Sequence, residues 1–284
     1  MKWQGRRKSR NIEDRRSQGR KAGSAGGIGG IGLIVILVAG YFLGIDVSPL
    51  LNGQTGGGAV TESAGITPQD QQAAEFVSVV LADTEAVWAD IFPQQVGTQY
   101  DPATLVLFKG GTQSPCGGAS AASGPFYCPA DRKAYLDTSF FVTMQDRLGA
   151  GGDFAAAYVV AHEIAHHIQN ELGILGQANQ ARRQASPAES NTISVRIELQ
   201  ADCYSGIWAR AVQQKFGTLE RGDLEEALNA AKQIGDDTLQ RNAGQRVQPH
   251  TFTHGTSEQR QRWFATGYQT GDMRACDTFS ARQL

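Results

Sequence analysis

Apolar and polar residues follow different patterns along the chain, and the most uniform stretch lies near the N-terminus. Residues 26–45 contain no charged side chain over twenty positions. A helix of that length is about 30 Å long, which matches the hydrocarbon thickness of a bilayer. The pattern predicts a single transmembrane helix over residues 26–45, followed by a flexible linker rich in Gly, Ser and Thr over residues 46–65.

The remaining residues, 66–284, are patterned as one folded domain. Thr67 and Pro68 form a helix start, and apolar residues recur at helical intervals through about Phe92. Short runs rich in β-branched and aromatic residues follow and predict a small sheet. A polar loop is predicted over residues 173–189. This order predicts an α+β fold that is predominantly α. Helical periodicity after the sheet predicts four further helices, which begin near Asp153, Asn191, Asp223 and Thr256.

Charge is distributed unevenly around the apolar segment. Residues 1–25 hold nine Lys or Arg side chains against Glu13 and Asp14, a net charge of +7, so the formal charge of −2 for the chain leaves −9 for the remainder. Positive charge before a span holds that end in the cytoplasm. The sequence therefore predicts a basic cytoplasmic tail, a single pass through a bacterial inner membrane and a periplasmic domain. An acidic domain without a basic groove excludes nucleic acid as a partner.

Two other interpretations of residues 26–45 stay open, a cleaved signal peptide and a buried core helix. The signal peptide is disfavoured because the basic region is long and no small-x-small cleavage site follows. Within the segment, Gly26 and Gly30, and again Gly40 and Gly44, have the spacing that lets two membrane helices approach. The predicted partners of this segment are the lipid bilayer and, weakly, a second copy of the chain.

The four cysteines all follow the predicted span. An even number of cysteines in an oxidising compartment predicts two disulfides, and four cysteines allow three connectivities. The favoured pairing joins Cys116 to Cys128 across a local loop and leaves Cys203 for Cys276. A zinc site made of cysteines is disfavoured because no two of them stand two to four residues apart.

The segment VVAHEIAHHIQN carries the first candidate for chemistry. His162 and His166 are four residues apart, so on a helix they share one face and can each offer a nitrogen to one Zn²⁺. Glu163 adjoins the first histidine and is placed to take a proton from a water that the metal activates. The alternative is an ordinary helix that carries two histidines in a polar stripe.

A third ligand is needed for a catalytic zinc site, and the segment VRIELQADCYSG offers one. Glu198 and Asp202 are again four residues apart in an otherwise apolar helix, where buried acids need partners. Glu198 completes a two-histidine, one-glutamate site, and Asp202 is expected to accept the N–H of a ligand histidine. A solvated acidic face fits this apolar setting poorly.

Four other residues are candidates for supporting roles. His254 precedes a predicted helix N-terminus, where it would stabilise the oxyanion of a tetrahedral intermediate, or else serve as a structural histidine. His167 points about 100° away from the two ligands and is expected to pack. Tyr127 and Tyr135 lie on predicted strands, where aromatic residues usually belong to the core.

With these motifs in view, the chain resembles the family described as putative neutral zinc metallopeptidases, which are membrane-anchored bacterial proteins of the zincin group. The resemblance runs from MKWQGRRKSRNIEDRR through GPFYCPADRKAYLD, HEIAHHIQ and RIELQADCYSG to FTHGTSEQRQRWFATGY. It implies a zincin-like fold, zinc at His162, His166 and Glu198, and Glu163 as general base. The chain departs from other glutamate zincins in a longer segment between His166 and Glu198.

The sequence therefore predicts a membrane-anchored metallopeptidase that binds one zinc ion per chain and acts on a peptide or protein substrate. An extended peptide is expected along an edge of the small sheet, near Tyr135. Two alternatives stay open. The first is a zinc-binding envelope scaffold that cleaves nothing, and the second is a zinc amidase that acts on cell-wall crosslinks.

Overall fold

The computed structural model describes residues 1–18, 65–120 and 123–284. The predicted span at 26–45 and nearly all of the predicted linker at 46–65 lie outside these residues. Within the described ranges, no helix combines the length and the apolar character needed to cross a membrane. The described chain is rich in α-helix and has a small mixed sheet, in agreement with the predicted α+β class.

Six strands and eight α-helices make up the described part of the chain. The strands are β1 (Ile12–Asp14), β2 (Thr104–Phe108), β3 (Gly111–Ser114), β4 (Gly117–Ser120), β5 (Phe126–Cys128) and β6 (Lys133–Asp137). The helices are α1 (Pro68–Gln95), α2 (Phe140–Asp146), α3 (Asp153–Glu171), α4 (Ile174–Gln184), α5 (Pro187–Phe216), α6 (Asp223–Gln233), α7 (Asp236–Asn242) and α8 (Ser257–Thr270). Short 3₁₀ turns occupy Pro249–Thr251 and Met273–Cys276.

The main sheet has the strand order β1-β2-β6-β5. Strands β1, β2 and β6 run parallel, and the outer strand β5 pairs antiparallel with β6. Alternate residues point to opposite faces of a strand, so one face of this sheet joins the helical core while the other forms a smaller cluster. The residues of the smaller cluster include Val106, Phe108, Cys128 and Tyr135. Strands β3 and β4 form a separate hairpin.

The segment predicted as a polar loop, residues 173–189, is mostly helical. It contains α4, and α5 begins at Pro187 rather than near Asn191. The cause is a capping box, in which the Ser186 side chain accepts from the backbone of Glu189 while the Glu189 side chain accepts from the backbone of Ser186. The loop prediction was wrong because the residues S-P-A-E, polar and proline-containing like a loop, form this helix start.

Helices α5 and α8 cross at two glycines. A Cβ atom added to Gly206 would lie 2.0 Å from the carbonyl oxygen of Phe264, and one added to Gly267 would lie 1.8 Å from that of Cys203. Only glycine permits this backbone contact, which fixes α8 against the acidic segment of α5.

The structure contains both predicted disulfides. Cys116 is joined to Cys128, which ties the β3–β4 hairpin to β5. Cys203 is joined to Cys276, which ties the middle of α5 to the 3₁₀ turn after α8. The described part of the chain has no free cysteine.

The basic tail predicted over residues 1–25 is described as far as residue 18. Residues 1–18 pack on the domain, and residues 12–14 of this segment form β1 at the edge of the main sheet. Trp3 packs edge-on against Phe76 of α1, and the α-ammonium of Met1 lies 2.6 Å from Asp153 at the start of α3. Three basic residues of this segment have carboxylate partners on the domain itself.

Candidate metal centre

Helix α3 places the two histidines of the HEIAH segment side by side. His162 and His166 are one turn apart, and their ring centroids lie 4.8 Å from each other. The opposite face of α3 is apolar and fully buried, with Ile164 and Ile168 in the main core. This packing turns the imidazoles toward α5, and only 8% and 12% of their side chains stay exposed.

Glu198 of α5 meets these two histidines. The candidate ligand atoms of His162, His166 and Glu198 all lie within 4.8 Å of one another. The Glu198 Oε2 atom is 3.0 Å from His162 Nε2 and 3.5 Å from His166 Nε2. Tetrahedral ligands 2.0–2.1 Å from zinc stand about 3.3 Å apart, so these spacings fit one zinc ion.

The carboxylate of Asp202, one turn after Glu198, is fully buried and fixes the orientation of His162. Its Oδ1 atom lies 2.9 Å from His162 Nδ1. Arg260 of α8 donates from Nε to Oδ2 at 2.8 Å and from Nη2 to Oδ1 at 3.0 Å, and the Tyr158 hydroxyl also donates to Oδ1. An ionised carboxylate only accepts hydrogen bonds, so Nδ1 of His162 carries the proton and Nε2 is directed toward Glu198.

The charges around these groups decide their protonation. Burial opposes the negative charge of Asp202, but the Arg260 guanidinium and His162 outweigh it and lower the pKa of the carboxyl to about 2. Burial likewise opposes a positive charge on His162, but its bonds with Asp202 and Glu198 raise the pKa of the imidazole to about 10 in the metal-free protein. Zinc binding must therefore displace a proton from His162.

His166 has a separate support that involves no charged group. Its Nδ1 atom lies 2.8 Å from the side-chain oxygen of Gln169. The amide nitrogen of Gln169 donates to the backbone oxygen of Ile197 at 2.8 Å and to Gln200 at 3.0 Å. Gln169 therefore links the second histidine to the turn of α5 that carries Glu198.

Glu163 lies beside the histidine pair, and its residue is 8% exposed. Burial raises the pKa of its carboxyl, while the charges of His166 and His162 act in the opposite direction. Within the described part of the chain, no group donates a hydrogen bond to this carboxylate. It differs in this from Asp202, whose oxygens are all occupied.

His254 lies in the loop before α8, with 43% of its side chain exposed. Asp236 accepts from the backbone N–H groups of Thr253, His254 and Gly255 at 2.7 to 3.0 Å, and its other oxygen lies 3.3 Å from His254 Nδ1. Burial opposes a charge on His254, but the bond with Asp236 and the negative charge of Glu198 raise the pKa of the imidazole.

The remaining aromatic candidates point away from the cluster. The Tyr127 hydroxyl lies 3.1 Å from Nδ1 of His167, whose Nε2 lies 2.7 Å from the backbone oxygen of Asp101. Tyr135 bonds to Asp131 and belongs to the smaller cluster on the far face of the sheet. These side chains hold β5 and the sheet in place.

Four residues that support the site were not predicted from the sequence. All four are buried side chains that carry polar groups, and they are Tyr158, Gln169, Asp236 and Arg260. Of these, only Arg260 could have been predicted from the sequence. It lies three and four residues before Trp263 and Phe264 in α8, so helical spacing places it on the buried face of that helix. A buried arginine requires an acidic partner.

Comparison with known proteins places the chain among relatives of similar length. The uncharacterized protein YpfJ of Escherichia coli is 50% identical over 287 residues, which cover 98% of this chain and 99% of that protein. The uncharacterized protein Rv2575 of Mycobacterium tuberculosis is 45% identical over 210 residues, which cover 70% of this chain and 68% of that protein. No solved structure matches the chain. The family described as "Putative neutral zinc metallopeptidase" matches residues 1–279, and the chain belongs to this family.

Proposed function

We propose that this protein is a zinc-dependent peptidase whose site is formed by α3 and α5. The observation that carries the proposal is the convergence of the ligand atoms of His162, His166 and Glu198 within 4.8 Å, beside the buried carboxylate of Glu163. Two imidazoles and one carboxylate are the donor set of many catalytic zinc sites. Two supports in the structure, Asp202 and Gln169, hold the two imidazoles with their Nε2 atoms toward Glu198.

The three ligands would hold one zinc ion per chain. Bound zinc would supply Lewis-acid chemistry, which polarises a carbonyl group and makes water acidic near neutral pH. The protein's own acid–base group is Glu163, which takes the proton from the attacking water and delivers it to the leaving nitrogen. A carboxyl whose pKa is raised by burial is a stronger base than an exposed one, and its oxygens are not engaged by other groups.

His254 is proposed to stabilise the oxyanion that forms during peptide hydrolysis. Asp236 holds its loop through three backbone bonds and raises the pKa of its imidazole, which favours a cation at this position. A donor held rigidly before the reaction stabilises developing negative charge without reorganisation. The partial exposure of the ring leaves it accessible to a substrate.

The substrate is proposed to be an extended peptide that pairs with β5. This strand is the outer strand of the main sheet on the side that contacts α3. An extended peptide can add to such an edge through main-chain hydrogen bonds. The sequence suggests an edge near Tyr135; that residue lies on the inner strand β6, directly opposite Phe126 of β5.

The domain is proposed to lie in the bacterial periplasm, attached to the inner membrane through residues 26–45. Two disulfides support an oxidising compartment. The twenty uncharged residues of the apolar segment support a bilayer as partner.

Glu163→Gln tests the peptidase proposal in the full-length protein. We expect this variant to bind one zinc ion as the wild type does and to lose at least about 100-fold in the cleavage rate of a peptide library, since the ligands stay but the base is removed. Glu225→Gln, an exposed glutamate on α6, is the control and should cleave normally. Equal cleavage by Glu163→Gln and the wild type would refute the proposal.

The same assay separates the alternatives. A scaffold binds zinc but cleaves no peptide in the library and no cell-wall fragment. A cell-wall amidase releases fragments from a peptidoglycan digest in a reaction that depends on Glu163, and leaves ordinary peptides intact.

A further inference from the structure

The segment formed by residues 1–18, here called the docked segment, contacts α1, β2 and β6 over most of its length. Strand β1 pairs in parallel with β2, with Ile12 opposite Leu105 and Asp14 opposite Leu107. The backbone N–H of Ser9 donates to the carbonyl of Ser78 in α1 at 2.9 Å. Backbone pairing of this kind makes the segment part of the sheet and of the core.

The charges of the docked segment match those of α1. Arg6 pairs with Asp83 at 2.6 Å, Arg7 with Glu85 at 3.2 Å, and Lys8 with Glu75 at 3.1 Å. The Asp83 side chain is 5% exposed, and Arg6 supplies the cation that a buried carboxylate needs. Three of the nine basic side chains that predicted cytoplasmic retention thus have carboxylate partners on α1.

The chain leaves the domain beside the place where it returns. Arg16 donates from Nη1 to the carbonyl of Asp70 at 2.6 Å. Arg16 lies two residues before the end of the docked segment, and Asp70 lies five residues after residue 65, where the described chain resumes. Seven residues, 19–25, separate the docked segment from the apolar stretch, and they reach at most about 25 Å. Both ends of residues 19–64 are therefore fixed to one small region of the domain.

We propose that the docked segment and residues 65–284 lie on the same side of the membrane, so that the apolar stretch at 26–45 does not separate them by a single crossing. A single crossing would put about 30 Å of hydrocarbon between ion-pair partners that lie 2.6–3.2 Å apart. This arrangement replaces the predicted cytoplasmic tail and is independent of the catalytic proposal.

Zero-length carbodiimide coupling in native membranes tests the contact directly. The reagent joins an amine to a carboxylate only when the two are in contact, so we expect crosslinked peptides that contain Lys8 with Glu75 and Lys133 with Glu13, which lie 3.1 and 2.6 Å apart. Lys8→Arg should remove the Lys8–Glu75 link and keep the Lys133–Glu13 link. Lys133→Arg should remove the Lys133–Glu13 link and keep the Lys8–Glu75 link. Lys215 and Asp90, an ion pair within the domain, provide the internal control. A Lys215–Asp90 link without either of the others would overturn the proposal.

Cysteine labelling of intact cells determines the side. Ser17→Cys lies in the docked segment and Thr98→Cys lies after α1, and both positions are exposed. We expect a membrane-impermeant maleimide to label both variants to the same extent. Labelling of both only after lysis would also support a shared side, although it would contradict the periplasmic location. Labelling of Thr98→Cys alone in intact cells, with Ser17→Cys reached only after lysis, would refute the proposal.

Discussion

Arg260 gives two N–H groups to the Asp202 carboxylate, which in turn faces Nδ1 of His162. Arg260→Lys keeps the charge but loses one of the two bonds, so we expect zinc affinity to fall by about 10- to 100-fold while the fold persists, as for other groups that orient a metal ligand. Arg260→Met removes the guanidinium from a buried carboxylate and should lower the free energy of unfolding by about 3–5 kcal/mol.

Chelator competition measures the zinc affinity of these variants, and circular dichroism follows their unfolding. Arg262→Lys, on the same helix but without a bond to Asp202, is the matched control. If Arg260→Lys bound zinc as tightly as the control, the orienting role would be refuted.

Asp70 is a second buried carboxylate whose negative charge is stabilised by neighbouring residues. It accepts from Thr67, Lys109 and Thr138 at the start of α1. Burial alone would raise the pKa of this carboxyl, but these bonds hold it well below its usual range. The charged form is thus stabilised by folding, and this stability is fully present above the unfolded pKa near 4 and is lost as the pH falls toward the folded pKa.

Asp70→Asn should therefore lower the free energy of unfolding by about 2 kcal/mol at pH 7. The difference from the wild type should shrink as the pH falls below about 4, because the wild type then loses the same charge. Urea titrations at several pH values measure this difference. A difference that stayed constant from pH 7 to pH 3 would contradict the assignment.

The candidate ligands could be predicted from the sequence because helical spacing alone pairs His162 with His166 and Glu198 with Asp202. The supporting groups could not, because Arg260 stands 58 residues from Asp202 and only the fold brings the two together. Local spacing identifies groups on one helix, whereas contacts between helices depend on how the helices pack.

At the scale of elements, the crossing of α5 and α8 sets the distance between Asp202 and Arg260. Gly267→Ala would place a Cβ atom 1.8 Å from the Cys203 carbonyl, so the helices must separate. We expect a loss of about 3 kcal/mol or more in stability, since backbone atoms cannot move aside as a flexible side chain can. Zinc affinity should fall in parallel.

Gly176→Ala is the matched control for this crossing. Gly176 lies in α4, and a Cβ atom there meets nothing within 4 Å, so alanine should stabilise the protein by up to about 1 kcal/mol through its higher helix propensity. Thermal unfolding of both variants measures the contrast. Equal melting temperatures would show that the crossing tolerates a side chain.

Element boundaries were predictable where a cap or breaker marks them, as at Thr67 and Gly271. The sheet was predicted only in outline. Its outermost strand β1 comes from residues 12–14, whose three residues carry two charges and show no strand pattern. Its pairing with β2, across about 90 residues of sequence, is a long-range contact that periodicity cannot detect.

At the scale of the whole molecule, the two disulfides close loops of different size. The Cys203–Cys276 bond joins residues 73 apart and the Cys116–Cys128 bond joins residues 12 apart. Loop entropy in the unfolded chain gives about 4 kcal/mol of stability for the first and about 3 kcal/mol for the second. Replacing both cysteines of a pair by serine should therefore cost more at 203 and 276, and it should also loosen α8 from α5.

The stabilities of these two double variants should determine how fast each is degraded in the cell. If the protein matures in the periplasm, the Cys203→Ser/Cys276→Ser variant should be degraded faster in cells than the Cys116→Ser/Cys128→Ser variant, because a larger share of its molecules is unfolded at any time. Pulse-chase decay measures the rates, and urea unfolding of the purified proteins measures the stabilities. Disulfides persist only where the compartment is oxidising. A wild-type protein whose four thiols were free when trapped in intact cells would therefore contradict the periplasmic location, while leaving the zinc site on α3 and α5 unaffected.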